Sequence, residues 1–131
     1  MNLEQAKKFF SADAFAVERA GARIEEIGEG FALCSMAYGS QHLNAAGTVM
    51  GGAIFTLADF AFAVAANGGG KKTVSLSSQI SFMAAPKGGM LYAKAQLIKE
   101  GGHTCFYSVD ITDGENRRIA AVSVTGYIMH G

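Results

Sequence analysis

The sequence predicts one α+β domain in which a curved antiparallel sheet wraps a single long helix. The first observation is that residues 51–66 are apolar around nearly the whole helical circumference, which is typical of a buried helix. The second is the period-two alternation of apolar and polar residues through residues 73–129, which is typical of strands. Glycine-rich turns divide this second region into four strands in succession, and we interpret them as an antiparallel meander.

The N-terminal region, residues 1–20, is predicted to be helical, with Ser11 and Asp13 as capping residues. The elements predicted before the long helix are two short helices at residues 3–10 and 13–19 and two strands at residues 23–27 and 31–38. No linker, repeat or low-complexity tract interrupts the chain, so we expect one domain, residues 1–131.

The first strand after the long helix alternates most clearly. We expect its apolar residues on one face and its polar residues on the other. The apolar set is Val74, Leu76, Ile80 and Phe82, and the polar set is Ser75, Ser77, Gln79 and Ser81. One small sheet cannot enclose a helix of this length. We therefore expect part of the helix or sheet to stay uncovered, and a second copy of the chain to cover it through the sheet edge.

The composition narrows the class of protein. Of the 131 residues, 50% are hydrophobic and 17% are charged, an apolar excess that suggests a subunit interface. The 11 Lys and Arg balance the 11 Asp and Glu, so no charge excess favours nucleic-acid binding. Cys34 and Cys105 lie in alternating apolar segments and residues 1–10 do not resemble a secretory leader, so we expect reduced thiols in a cytoplasmic protein. No His/Cys cluster has metal-ligand spacing, and we expect neither a metal nor a cofactor.

The apolar run at residues 45–66 is long enough to span a bilayer. However, Asp59 lies within it, and a carboxylate near the centre of a span costs about 3 kcal/mol on insertion scales. Glycines interrupt the start of the run, and no Lys or Arg cluster flanks it. We therefore expect no membrane segment.

The candidate chemistry lies between residues 44 and 59. Asp59 is a carboxylate in an apolar helix, which is costly to bury unless it is paired or functional; the alternative is a position on one solvated stripe of the helix. Gly51 and Gly52 begin the helix, where backbone N–H groups are free and the helix dipole is positive, so Gly52 could form an oxyanion hole for an acyl group. Asn44, in the preceding loop, can orient a carboxylate or a water.

The spacing of these groups predicts a site shared between subunits. Asp59 follows Gly52 by two helical turns on the same face, roughly 10 Å along the axis. That separation is too great for both groups to act on one carbonyl carbon. We therefore expect the carboxylate to come from a second subunit.

The segment HLNAAGTVMGG, which begins at His42, followed by Leu57-Ala58-Asp59, resembles the signature of hot-dog-fold thioesterases of the phenylacetate-pathway (PaaI-like) type. The resemblance covers residues 31–129. It implies a hot-dog fold and hydrolysis of acyl-CoA without metal or cofactor. It also implies a homo-oligomer, usually a dimer of dimers, with sites at the subunit interface.

The resemblance further implies a role for each matching residue. Asp59 corresponds to the catalytic carboxylate, acting as nucleophile or as general base on water. The backbone N–H of Gly52 corresponds to the group that polarises the thioester carbonyl, and Asn44 to a polar residue near the reacting centre. Ser75, or with less support Ser77, corresponds to a strand residue that positions the carboxylate or the water.

One residue departs from the family pattern, because Met50 stands where the family has His before the two glycines. A thioether cannot replace an imidazole as a hydrogen-bond donor. A non-catalytic acyl-CoA binding or sensing protein is therefore one alternative to hydrolysis. A hot-dog hydratase or dehydratase is another, but those enzymes use a His with a carboxylate, and no His occupies a comparable position.

Several further residues are candidates for substrate binding. Met50, Gly51 and His42 belong to the glycine motif, with His42 at the site rim. The candidates for the coenzyme A phosphates or the pantetheine arm are Lys87, Gly101, Gly102 and His103. A nucleophilic pair of His103 with Cys105 is disfavoured, because nothing orients the imidazole. The acyl group, the choice between nucleophile and general base, and the number of subunits stay open at this point.

Overall fold

The computed structural model describes residues 1–130, and within them six antiparallel strands form one sheet that curves around one long helix. The helices are α1 (Leu3–Phe10) and α2 (Gly51–Asn67), with a short π-helical segment at Ala14–Arg19 and a 3₁₀ turn at Ser40–His42. The strands are β1 (Ala22–Gly28), β2 (Phe31–Ala37), β3 (Lys72–Phe82), β4 (Met90–Glu100), β5 (Thr104–Asp113) and β6 (Arg118–Met129). The predicted α+β fold with a wrapped central helix is confirmed.

The N-terminal helices begin at side-chain caps. The Asn2 carboxamide oxygen accepts the Gln5 N–H at 2.8 Å, and the Gln5 side chain accepts the Asn2 N–H at 3.0 Å, which closes a capping box on α1. Asp13 caps the next segment by accepting the N–H of Ala16. Ser11 instead stands at the C-terminal end of α1, where its hydroxyl donates to the carbonyl of Lys8.

The sheet order is β1-β2-β4-β5-β6-β3. Strands β4, β5 and β6 form the expected meander, but β3 pairs with β6 and not with β4. The four-strand meander predicted for residues 73–129 is therefore wrong at its first strand. Because β4 already pairs with β2 on one side and β5 on the other, it has no free edge for β3. β3 takes the free side of β6 and becomes an edge strand.

A β-bulge between Ser75 and Ser77 reverses the alternation within β3. Val74 pairs with the exposed Tyr127, whereas Ile80 pairs with the buried Val122. Residues that pair directly share a face of the sheet, so Val74 lies on the outer face and Ile80 on the face towards α2. The prediction of one continuous apolar face on this strand is wrong.

The core lies between α2 and the inner faces of β2, β4, β5 and β6. The helix buries Ile54, Leu57, Ala58, Phe60, Ala61, Phe62, Val64 and Ala65, and the sheet contributes Cys34, Met36, Leu91, Ala93, Val109 and Ile111. One stripe of α2 remains open, with Gly52 and Asp59 exposed and Thr56 half-buried between them. The expectation of an incompletely covered helix is confirmed. Within the described residues, no helix is both long and apolar enough to cross a membrane.

α2 and β3 run in opposite directions. At one end, the Asn67 carboxamide oxygen accepts the Thr73 N–H at 2.8 Å. At the other end, the ring of Phe82 packs against Gly51. The start of the helix therefore lies beside the end of the edge strand, and this arrangement positions the site.

Candidate active site

The loop before α2 is organised by one side chain. The Asn44 carboxamide oxygen accepts the N–H groups of Ala46 at 3.0 Å and Thr48 at 3.1 Å, and the Thr48 hydroxyl at 3.2 Å. The Met50 N–H donates to the His42 carbonyl at 2.8 Å and closes the loop on itself. The oxygen of Asn44 therefore shapes the backbone, which leaves its NH₂ group as the part that can face a ligand.

Two backbone N–H groups are unused at the start of α2. The carbonyl of Met50 accepts from Ala53 at 2.9 Å and Ile54 at 3.3 Å, whereas the amides of Gly51 and Gly52 donate no hydrogen bond within residues 1–130. The side chain of Met50 does not cap the helix. Free N–H groups at the positive end of a helix dipole can donate hydrogen bonds to the oxygen of a polarised carbonyl.

The space around these glycines is narrow. A Cβ at Gly51 would lie 3.0 Å from the tip of the Phe82 ring, and a Cβ at Gly52 would lie 3.2 Å from the methyl carbon of Met50. Met50 is 53% exposed, and its side chain lies along Gly52. The structure therefore brings Met50, Gly51 and Gly52 together, with the thioether where the family pattern has an imidazole.

Asp59 is exposed on the open stripe of α2, so the structure places it on the solvated stripe that the sequence offered as the alternative to burial. The sheet covers only one side of the helix, and Asp59 points away from it. No ion pair within residues 1–130 involves this carboxylate. Its pKa is raised above the ordinary value by partial desolvation and, to a smaller extent, by the negative charge of Asp13. A carboxylate without a cation and with a raised pKa can act as a general base.

Ser75 lies on the face of β3 that points towards α2. It pairs with Gly126, where a Cβ would point into the core, 2.8 Å from the sulfur of Cys105 and 3.0 Å from the ring of Phe62. Ser77, beyond the bulge, pairs with Thr125 on the outer face. The register therefore favours Ser75 over Ser77 as the strand residue that faces the helix side of the sheet.

His42 is buried, with both ring nitrogens occupied. Its Nδ1 accepts the N–H of Gly39 at 3.0 Å, so Nε2 carries the proton and donates to the carbonyl of Ala20 at 2.7 Å. The ring therefore fastens the loop before α2 to the N-terminal segment at residues 13–20, which we call the wall segment. Its nitrogens are not available to a ligand in this arrangement.

The residues predicted to contact coenzyme A lie at two opposite ends of the sheet. Lys87 follows β3 at the end where α2 begins, and its N–H donates to Asp113 at 2.9 Å. Gly101, Gly102 and His103 form the β4–β5 turn at the other end, where His103 stacks on Tyr127 with ring centroids 6.2 Å apart. The intervening strand β4 spans about 36 Å at 3.3 Å per residue. The structure therefore does not bring Lys87 together with the other three residues.

Gly52 lines a groove of ≈ 290 Å³. The wall segment contributes Phe15, Arg19 and Ala20 to it, and the start of α2 contributes Met50, Gly52 and Thr56. Sequence reasoning missed Phe15, Arg19 and Thr56. No spacing links the wall segment to the glycine motif, because the two meet only through long-range packing. Within residues 1–130, no group of three or more His, Cys, Asp or Glu side chains could hold a metal ion.

The sequence of this chain is similar to those of known proteins over most of its length. Residues 46–120 match the sequence profile of the thioesterase superfamily. A candidate esterase of Archaeoglobus fulgidus is 36% identical over 95% of this chain and 82% of its own length. The acyl-coenzyme A thioesterase PaaI of Escherichia coli is 33% identical over 89% of this chain and 84% of its own length.

Solved structures give the same result for the fold. The E. coli PaaI protein from the phenylacetic acid degradation operon superposes with a TM-score of 0.90 at 30% identity, covering 98% of this chain and 93% of that one. A hypothetical thioesterase protein of Streptococcus pneumoniae, solved with coenzyme A, superposes with a TM-score of 0.84 at 27% identity, covering 92% and 96%. The likeness extends through the N-terminal helices, which lie outside the profile match.

Proposed function

The chain belongs to the thioesterase superfamily, and on that premise we propose that it hydrolyses acyl-CoA thioesters at a site formed by two copies of the chain. Its PaaI-like hot-dog fold and its class, thioester hydrolase, follow from the family. What we propose is the identity of the catalytic residues, the role of each, and their arrangement in a site shared by two subunits. The observation that carries it is the open stripe of α2, which presents the unused N–H of Gly52 and, two turns on, the carboxylate of Asp59.

The reach of the two groups supports a shared site. Within one chain, Gly52 and Asp59 are separated by roughly 10 Å along the helix axis, so they cannot serve one carbonyl carbon. The edge strand β3 exposes Val74 at 44% and Leu76 at 60%, which favours pairing with a second copy. Antiparallel pairing of two β3 edges about a twofold axis makes the two α2 helices antiparallel as well. The glycine end of one helix then approaches the carboxylate of the other.

The mechanism follows from this arrangement. The thioester carbonyl oxygen accepts the N–H of Gly52, which stabilises the negative charge that develops on it. Asp59 of the partner subunit then acts on the carbonyl carbon in one of two ways. It attacks directly, forming an anhydride that water hydrolyses, or it removes a proton from a water that attacks. In both routes the C–S bond breaks, the thiolate of coenzyme A leaves and takes up a proton, and the free acid is released.

Two polar residues assist in this proposal. Asn44 directs its NH₂ group at the attacking water or the carboxylate, since its oxygen is held by the loop. Ser75 lies on the face of β3 turned towards the helix side, where its hydroxyl can hydrogen-bond to the carboxylate. Lys87 lies at the same end of the sheet as the glycines, so it is better placed than His103 for a phosphate of coenzyme A.

A non-catalytic acyl-CoA binding protein is the second candidate, and Met50 is the observation that favours it. The site keeps the backbone donor and the carboxylate but has a thioether beside Gly52. A hydratase has less support, because the nitrogens of His42 are both engaged with backbone groups.

The test of the proposal is thiol release from a panel of acyl-CoAs. We expect Asp59→Ala to lower kcat by about 10³-fold or more, as loss of a catalytic carboxylate does. The matched control is Asp110→Ala, which removes a partly exposed carboxylate on β5 that pairs with Arg118. An unchanged rate in Asp59→Ala would refute the assignment of Asp59 as the catalytic carboxylate. Binding of acyl-CoA by the wild type without release of thiol would establish the second candidate.

A further inference from the structure

The wall segment (residues 13–20) forms one side of the groove beside Gly52. Phe15 is 66% exposed, yet its ring lines a groove, and most of the surface of that groove is apolar. On the opposite side lie Met50 and the first turns of α2. An exposed aromatic side chain that faces an apolar slot next to a reacting centre has the chemistry of a substrate contact.

Three anchors fix the position of this segment. Ala16, the neighbour of Phe15, is buried in the core. Asp13 accepts the N–H of Ala16 through its side chain and that of Val17 through its carbonyl at 2.9 Å. At the far end, Nε2 of His42 donates to the carbonyl of Ala20. The backbone of Phe15 is therefore held on both sides, which keeps the residue at the edge of the groove.

The size and the lining of the groove limit its occupant. A volume of ≈ 290 Å³ lies at the lower end of the range for small-molecule sites, which favours a small acyl group. Gly52, whose N–H the proposed function places against the carbonyl oxygen, is one of the residues that line the groove. The group attached to that carbonyl is therefore the nearest part of the substrate to Phe15 and Met50.

We propose that Phe15 is a specificity-determining residue that, with Met50 opposite, forms a slot for a small apolar acyl group. This inference rests on the proposed function. Beyond the proposed function, the wall segment gains a role, although this segment precedes the family signature and carries no motif. Phe15 closes the slot, so its size sets the upper limit on the acyl group.

The experiment measures kcat/KM for butyryl-CoA and for decanoyl-CoA in the wild type, Phe15→Ala and Phe15→Trp. We expect Phe15→Ala to raise the decanoyl-to-butyryl ratio by about tenfold, because a shortened wall admits a longer chain. Phe15→Trp fills the slot further and should lower the same ratio. The matched control is Phe9→Ala, which removes an equally exposed ring on α1 that does not line the groove.

Three outcomes overturn the inference while leaving the proposed function in place. One is an unchanged ratio in both Phe15 variants. Another is a ratio that moves as much in Phe9→Ala. The third is a rise in KM that is equal for both substrates, which would assign the groove to the coenzyme A arm. Absence of hydrolysis in the wild type would instead refute the proposed function. The Phe15→Trp arm keeps the test decisive if Phe15→Ala does not fold.

Discussion

The methyl carbon of Met50 lies 3.2 Å from the point where a Cβ at Gly52 would stand, so the thioether flanks the backbone donor of the site. The side chain is long, unbranched and half-exposed, and it can move aside for a ligand. It supplies no hydrogen bond there. In the proposed mechanism the helix terminus, and not the side chain of Met50, stabilises the developing oxyanion.

Met50→His is expected to raise kcat. An imidazole in this position adds a donor beside the N–H of Gly52, and one additional hydrogen bond to a charged group is worth about tenfold in rate. Met50→Leu is the control, since it keeps an apolar side chain of similar volume and should leave kcat near the wild-type value. Steady-state thiol release measures both. A Met50→His variant that is no faster than Met50→Leu would contradict the interpretation of this position.

The pH dependence of hydrolysis should report the raised pKa of Asp59. The reaction needs the ionised carboxylate, so kcat/KM falls as pH drops through its pKa. That acid limb should lie above the ordinary Asp value of about 3.9. Asp13→Asn removes a negative charge that raises the pKa, and the limb should then move to lower pH.

Glu18→Gln is the control for that experiment, because it neutralises an exposed carboxylate in the same segment that does not contribute to the shift. The profile should be recorded from pH 3.5 to 8 (roughly the range that covers a raised carboxyl pKa) with the fold monitored in parallel. An acid limb that is identical in Asp13→Asn and the wild type would show that Asp13 does not raise the pKa of Asp59.

Asp113 should stabilise the fold in a pH-dependent way. Its buried carboxylate accepts N–H groups of Lys87, Glu115 and Arg117 at 2.9 to 3.0 Å, together with the Arg117 guanidinium. Hydrogen bonds to the ionised form lower the pKa of Asp113 to about 2 despite its burial. A depressed pKa means that the stabilisation is complete above the unfolded value of about 3.9 and is lost as pH falls towards 2.

Asp113→Asn should lower Tm by several degrees at pH 7 and flatten the decline of Tm between pH 4 and 2 (roughly the interval between the unfolded and folded pKa). Asp110→Asn is the matched control, because Asp110 pairs with Arg118 at the surface and should change Tm little. Thermal unfolding across this pH range checks both. Equal acid sensitivity of Asp113→Asn and the wild type would contradict the assignment of the stabilisation to this carboxylate.

Local patterns predicted the parts of the fold that are locally determined. The apolar circumference of α2, its glycine start and the alternating strands are properties of short segments, and each lies where it was expected. The pairing of β3 with β6 was not predictable, because strand order depends on which edges remain free. The bulge at Ser75 was not predictable either, since Val74 to Phe82 reads as one alternating run in the sequence.

The candidate site also has some features that local sequence shows and others that only long-range packing determines. Gly52, Met50 and Asp59 lie on one continuous segment, so their spacing was visible. The exposure of Asp59 stayed open as one of two alternatives, because the helix is apolar on nearly every side in sequence and only the extent of the sheet decides which stripe stays uncovered. Phe15 lines the groove because the wall segment is fastened to the loop before α2 by the hydrogen bond between His42 and Ala20, a contact across 22 residues that no local pattern encodes.

The central claim is that Gly52 and Asp59 of different subunits form one site, and complementation between two inactive variants tests it most directly. Asp59→Ala removes the carboxylate. Gly52→Pro removes the N–H in the first turn of α2, where proline is tolerated. Each variant is first shown to be folded, of wild-type oligomeric state and inactive alone; the two are then unfolded together in equal amounts, refolded and assayed for thiol release.

Random pairing makes about half of the dimers mixed, and each mixed dimer contains one site with both defects and one site with neither. We therefore predict recovery of about one quarter of the wild-type activity. If both groups acted within one subunit, every site in every dimer would lack one of them. No recovery from the mixture, with mixed dimers shown to be present, would contradict the account.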